Sequence, residues 1–473
     1  MRKLMIISLV LFMPFILAEP LQAGNSHQQA DTSPADLFPE GTLAYLEFPS
    51  TLPFFADLDF APWVGERIGV GIYLPVDPGS PRLRDLIPTM ALVFQVRDED
   101  AADAFVSTLV GANWRHTEVE GGYLWTEQRP AFARAILRLD GYLVMGSARG
   151  TEMMAHGQEG GLRSTPDFVR VKNALSGSPT LWGYGVVGGF AIYTGEVFSI
   201  EVVTCGNPPD LGIPDALDEA ALTSIPQDAF AVISGTDISL ILQRMTGVPE
   251  ALFDFLRDLD PAFAEIADLP DSLFRTMLGV DYEREFLPLF DGGYAGFLTF
   301  GFGSGYAALG IPIDGGFVLA PEDSANAIFT SSTITNRLEQ SGLPITRISP
   351  TTFSLDTGTG LDLYFGFMGG RLYLSTESGM EDIQQAVDGR NLTDNDIWKS
   401  TLVYAPEGAQ QVIYLNLRST AAFIDTGRAA VPEAVQNLIG DILTYVRQYD
   451  SLALFHRVDE DGTRITKFVL LSK

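Results

Sequence analysis

Cysteine is almost missing from this chain. Cys205 is the only one among 473 residues, so no intrachain disulfide can form and no cysteine cluster can hold a metal. Stability has to come from buried apolar surface, which a chain of this length can supply. Histidine is nearly as scarce. His27, His116, His156 and His456 are not paired with one another or with Cys205 at metal-ligand spacing, so zinc is not expected. A lone strand thiol reads as a packed side chain in preference to a nucleophile, and His456 reads as an ordinary strand residue. Lysine occurs only at Lys3, Lys172, Lys399, Lys467 and Lys473, and the formal net charge is −30. So acidic a chain repels phosphate backbones, which makes nucleic acid a poor partner. The same balance suits a salty medium.

Long apolar runs are also lacking, with one exception. Leu4 to Ala18 is apolar apart from Pro14, follows the positive Arg2 and Lys3, and leads to the small residue Ala23. This pattern predicts an export signal over residues 1–23, cut before Gly24. The run is short for a membrane span, which needs about 20 apolar residues. No Cys follows it to carry a lipid. Residues 24–37 are polar and predict a flexible leader. No later stretch is long enough to span a bilayer, so the expected location is the periplasm or the extracellular space, with no integral span after signal removal.

Motifs for chemistry are missing too. There is no G-x-S-x-G elbow. Gly301-Phe-Gly-Ser-Gly305 is flanked by apolar strands and followed by no Lys, so it predicts a hairpin turn and not a phosphate loop. Asp459-Glu-Asp-Gly462 lacks the further oxygen ligands of a calcium loop and reads as a solvated hairpin. Asn391-Leu392-Thr393 matches a glycosylation sequon but reads as a helix cap. Glu152 and Glu381 hold matching places in the chain. Convergence on one cleft would suit acid–base work, and otherwise they are surface residues. Trp63, Trp114, Trp125, Trp182 and Trp398 read as core unless a cleft gathers them.

What the chain does have is a copy of part of itself. Gly141-Tyr-Leu-Val-Met-Gly-Ser147 returns as Gly370-Arg-Leu-Tyr-Leu-Ser-Thr376, an offset of 229 positions. The offset also places Gly150 on Gly379, Glu152 on Glu381, Gly160 on Gly389 and Asp167 on Asp396. A fixed-offset match reports architecture before chemistry. Each half opens on a proline turn and a strand, Pro39 to Phe48 and Pro226 to Ser234, and Pro406 to Leu417 resembles them. Pro62-Trp63-Val64-Gly65 is echoed by Pro288-Leu289-Phe290 and Gly292. Strands at 91–96 and 317–319 run into helices that begin at Glu99 and Glu322, with acidic first turns. Hairpins are predicted around Gly121, Gly141 and Gly370, and capped helices after Thr165 and Thr393.

These landmarks resemble a bacterial exported-protein family known as domain of unknown function 3352. The resemblance rests on the P-x-x-T/A strands at Pro39 and Pro226, the Trp turn at Pro62-Trp63-Val64-Gly65, and the capped helix at Thr165-Pro166-Asp167-Phe168. It covers most of residues 38–473, and the second copy departs from it at Leu289, where Trp is expected. The resemblance implies export and brings no activity with it.

The expected fold class is α+β: two related halves from an internal duplication, with mainly antiparallel sheets and helices packed on one face. The expected layout is a first half at 38–205, a linker at 206–222 and a second half at 223–473. The second half carries a helical insertion at 246–287 and a C-terminal helix with a hairpin. No catalytic, cofactor-binding or metal residue is assigned, and no cofactor is expected. The leading function is a non-catalytic exported protein binding an unidentified protein or a small apolar ligand. A hydrolase with a carboxylate-based site, or a structural cell-surface protein, stays open.

Overall fold

The computed structural model of the chain describes residues 33–51, 63–73, 89–128, 133–156, 161–185, 187–195, 197–206, 213–239, 274–276, 278–301, 313–357, 362–427, 436, 440 and 443–473. The predicted signal, most of the leader, most of the 246–287 insertion, residues 302–305 of the Gly-rich segment and much of the helix near Pro432 lie outside the described residues. The chain divides into two compact units, Met1–Gly206 and Asn207–Lys473.

The first unit holds β1 (Thr42–Pro49), β2 (Val64–Tyr73), β3 (Thr89–Val96), α1 (Glu99–Leu109), β4 (Trp114–Val119), β5 (Gly122–Glu127), β6 (Arg134–Leu139), β7 (Tyr142–Ser147), α2 (Ala148–Ala155), α3 (Pro166–Ala174), β8 (Leu181–Gly185), β9 (Gly188–Tyr193) and β10 (Val197–Cys205). The second holds β11 (Ala231–Thr236), β12 (Gly293–Phe300), β13 (Ile313–Ala320), α4 (Ser324–Gln340), β14 (Ile345–Arg347), β15 (Thr352–Asp356), β16 (Asp362–Met368), β17 (Arg371–Ser375), α5 (Glu377–Val387), α6 (Asp396–Leu402), β18 (Gln411–Asn416), α7 (Leu417–Gly427), β19 (Tyr449–Val458) and β20 (Thr463–Ser472).

Within the first unit the strands pair in the order β4-β5-β6-β7-β3-β2-β1-β8-β9-β10, all antiparallel. Within the second the order is β14-β15-β16-β17-β13-β12-β11-β18-β19-β20, again all antiparallel. The two orders are the same order. Gly141 sits in the β6–β7 turn with φ 77° and Gly370 in the β16–β17 turn with φ 86°. Both turns need the left-handed region that glycine enters without steric cost. Three proline turns close alike: the N–H of Thr42, Ala229 and Ala409 donates to the carbonyl of Pro39, Pro226 and Pro406 at 3.1, 3.1 and 3.0 Å. In each, proline supplies the accepting carbonyl, the next two residues make the turn, and the fourth leads the chain into β1, β11 or β18.

The expected α+β class with helices on one face is corrected. Each unit is mostly antiparallel sheet, and its helices lie against both faces. In the first unit α1 buries Ala102 and Val106 in a cluster with Phe48, Ile68 and Phe94. Alternation along β1 and β2 puts Tyr45 and Tyr73 on the opposite face. There Phe168 of α3 packs edge-on to Tyr45 at 6.2 Å and to Tyr184 at 5.3 Å, and Gly150 of α2 lies beside the Tyr73 hydroxyl. In the second unit α4 borders Phe353 and Phe365, whereas Trp398 of α6 meets Tyr414 on the other face at 4.9 Å. One apolar stripe per helix says that a face is buried but not which side of the sheet receives it. Among the described residues no helix is long and apolar enough to cross a membrane.

Candidate functional site

The residues considered for chemistry are scattered. His116 lies exposed on β4, His156 caps the C-terminus of α2, and His456 is half-buried on β19, its Nδ1 3.2 Å from Thr466 Oγ1. Burial lowers the His456 pKa, with Arg464 adding to the effect. Cys205 ends β10, half-buried. Glu152 and Glu381 are exposed on α2 and α5. Asn391 caps a helical turn, its Oδ1 accepting from Thr393 N at 3.1 Å. Asp459 is held by Arg457, at 2.5 Å to Nε and 2.7 Å to Nη2. Trp63, Trp182 and Trp398 are core residues, while Trp114 and Trp125 pack half-buried at the edge of the first cluster. Among the described residues no group of three His, Cys, Asp or Glu is placed to hold a metal ion.

Two cavities in the second unit were not foreseen. The first encloses about 430 Å³ between the Asp215–Asp218 segment, the start of β12, the start of α4 and the β16–β17 turn. Its walls carry Asp215, Asp218, Asp291, Glu322 and Arg371. Asp237 stands just behind, in the left-handed region at φ 55°. Its carboxylate accepts from Asp215 N at 2.8 Å, and its own N–H donates to Gly292 O at 3.1 Å. Burial raises the Asp237 carboxyl above its ordinary value, and Asp215 and Glu322 add to this. Burial likewise raises Asp291, helped by Asp237 and Asp323, and Asp291 Oδ1 has no hydrogen-bond partner among the described residues. Arg371 is partly desolvated, which lowers its pKa against the pull of Asp218. It donates to Thr223 Oγ1 at 2.7 Å.

The first unit shows why this space is open. There Glu99, the first residue of α1, accepts from Gly141 N at 3.1 Å and pairs with Arg138. That carboxylate ties the helix to the β6–β7 turn. The first residue of α4 is Ser324, too short to reach the β16–β17 turn in the same way. The cavity is therefore acidic and polar, suited to a cationic or hydrogen-bonding group. Burial raises one lining carboxyl, Asp291, and Asp237 behind it, and among the described residues no thiol, imidazole or lysine lines the space.

The second cavity, about 410 Å³, is apolar. Leu298 of β12, Ile313 and Phe317 of β13, Leu363 of β16 and Leu374 of β17 surround Gly315 and Gly316. Leu298 is 42% exposed and Leu374 47%. A Cβ on Gly315 would lie within 2.9 Å of Leu298 Cδ2 and closer still than that to the Phe297 carbonyl. The sheet packs here only because the side chain is missing. In the first unit the matching row runs Ile72, Met90 and Met145: Leu92 opposes Val70 and Met145 as Phe317 opposes Gly296 and Leu374. Met90 thus occupies the place of Gly315. The second unit has a hollow where the first has a methionine. Its volume falls in the range of ordinary small-molecule sites, roughly 300–1,000 Å³.

No protein-family model matches the chain, and no curated protein matches it. Two solved structures are similar in part: crystal form III and crystal form I of TP0453. Each is 8% identical with a TM-score of 0.21, over 76% of this chain and 100% and 98% of theirs. At that score the likeness assigns neither fold nor function.

Proposed function

We propose that this is an exported, non-catalytic binding protein whose second unit takes a small apolar ligand in the glycine-floored hollow of β12, β13, β16 and β17. One observation carries the reading. Leu298 and Leu374 are left about half in water around a floor from which Gly315 has removed the side chain. Apolar surface kept exposed around a ligand-sized space is the usual mark of a binding site. Export is supported by the Arg2-Lys3 start and the Leu4–Ala18 run, and by the resemblance of the proline and Trp turns to an exported family.

An apolar fluorescent probe titrated into the mature protein tests it. Covering the exposed halves of Leu298 and Leu374 is worth about 0.7–1.5 kcal/mol each, half the value of a fully buried leucine. Leu298→Asp with Leu374→Asp should therefore weaken the probe roughly tenfold to a hundredfold, with circular dichroism unchanged. Equal affinity in the folded double variant would sink the proposal. The hydrolase alternative rests on the raised Asp237 and Asp291 carboxyls. It predicts turnover that Asp291→Asn abolishes while probe binding stays intact.

A further inference from the structure

The sheet of each unit begins at an edge strand, β4 in the first and β14 in the second. The two edges hold the same place in the strand order but are finished differently. β14 is cut to Ile345–Arg347 and bracketed by Pro344 and Pro350. Short length and flanking proline are the devices by which proteins blunt an edge. β4 runs for six residues, Trp114 to Val119, with no proline, no bulge and regular pairing to β5. Arg115, His116, Thr117 and Glu118 are all exposed. Among the described residues, an edge protected in one unit is left open in the other.

The hairpin register shows which backbone groups are on offer. Gln128 N donates to Asn113 O at 2.8 Å, and pairs along an antiparallel ladder alternate between bonded and non-bonded. The bonded pairs are therefore Arg115 with Thr126, Thr117 with Leu124 and Val119 with Gly122. The N–H and carbonyl groups of His116 and Glu118 face outward, while the Trp114 N–H is taken by Gly111 O at 3.1 Å, and β4 pairs with β5 alone among the described residues.

We infer that β4 pairs with β4 of a second copy of this chain, antiparallel, about a two-fold axis through Thr117. The side-chain order supports that occupant. Strand alternation sets Trp114, His116 and Glu118 on one face and Arg115, Thr117 and Val119 on the other. With Thr117 opposite Thr117, His116 of each copy faces Glu118 of its neighbour, and the outward backbone groups of both lie in bonding register. Symmetry makes the imidazole–carboxylate pair twice. Shifting the centre to His116 would set the two imidazoles against each other and put Trp114 opposite Glu118. The pairing is isologous, as closed dimers require, and it supplies an edge-to-edge ladder that the charge of the whole chain would otherwise discourage.

Light scattering of the mature protein across a wide concentration range tests this. The expected result is a monomer–dimer equilibrium. His116→Pro removes an outward N–H at an edge position that tolerates proline and should give monomer. Glu118→Lys sets like charge potential against His116 and should also give monomer. His116→Glu combined with Glu118→Lys restores a pair of opposite charges across the axis and should restore the dimer. Wild-type protein that stays monomeric throughout overturns the inference. So does a dimer that both single substitutions leave unchanged, or one that the combined variant fails to recover. Should His116→Pro unfold the hairpin by circular dichroism, the exposed Glu118→Lys and its combined variant decide alone.

Discussion

Replacing Gly379 by alanine should cost more stability than replacing Gly370, although only Gly370 has a left-handed backbone. Gly370 has φ 86° and open space where a Cβ would go. Alanine there costs about 1–2 kcal/mol for the left-handed region, offset by about 0.4–1 kcal/mol from a stiffer unfolded chain. The net loss is about 1 kcal/mol. Gly379 lies in the first turn of α5, beneath its cap Thr376. A Cβ there would press on the carbonyl of Gly315, well inside van der Waals contact, and lie 3.0 Å from Thr376 Oγ1. Helix propensity favours alanine by up to about 1 kcal/mol, but overpacking against a fixed backbone group costs about 1–3 kcal/mol. A strand carbonyl cannot rotate away as a side chain can, so the upper part of that range applies. The first unit supplies a control. At Gly150 the nearest atoms are the Tyr73 hydroxyl at 2.6 Å and Thr89 Cγ2 at 2.8 Å, side-chain atoms that can yield. Urea unfolding should therefore rank the losses Gly379→Ala above Gly150→Ala, with Gly379→Ala also above Gly370→Ala. Because Gly315 floors the apolar hollow, Gly379→Ala should also weaken probe binding, and Gly150→Ala and Gly370→Ala should not. A Gly379→Ala protein as stable as wild type would refute the steric account of α5 against β13.

Two further outcomes are expected. Asp291 is held above the ordinary carboxylate range, so its contribution to stability is full in acid and lost as pH rises through its raised value. Asp291→Asn cannot ionise, and should raise the melting temperature more at neutral pH than at about pH 3; equal shifts at both would contradict the burial argument. Trp398 is 1% exposed, and its indole N–H has no partner among the described residues. Trp398→Ala should cost about 3–5 kcal/mol by denaturant titration, and Trp398→Phe far less, because no hydrogen bond is lost with the indole nitrogen.

Local backbone chemistry was legible in the sequence, and side of packing was not. The turns at Gly121, Gly141 and Gly370 could be read because a tight reversal with positive φ leaves few residue choices. The three proline turns could be read because proline fixes its own φ and is followed by apolar, strand-forming residues. The helix after β13 was visible from its acidic start at Glu322, but its reach to Gln340 was hidden by a run of Ser and Thr. Those hydroxyls bond back to carbonyls one turn earlier, as Thr335 does to Ser331 at 2.8 Å, and dilute the apolar period. Hairpin signals outnumber β-α-β alternation, which suggests helices on one face, but only the strand parity of the neighbours of α1 and α2 tells which face each one covers. The apolar hollow left a faint trace. Laying Phe317 over Leu92 sets Gly315-Gly316 against Met90-Ala91, and a paired loss of side chains inside a strand marks a place where something else approaches. The acidic cavity left a fainter one, Ser324 where the first unit has Glu99. Neither substitution looks unusual in its own half.

The seventh and eighth strands of each sheet lie far apart along the chain. β1 pairs with β8, where Ala44 opposes Gly185, and β11 pairs with β18, where Ile233 opposes Ile413. The hairpins β4–β5, β6–β7 and β19–β20 can zip as soon as they are made, but the β1–β8 and β11–β18 joins have to wait for nearly the whole unit. Pairings this distant pay their loop-closure entropy late and slow the search. Under the export proposed above, slowness has a use, because a membrane channel can thread only an open polypeptide. A sheet whose seventh and eighth strands join last keeps each unit pliable until its final third has been made, and then locks it in one step.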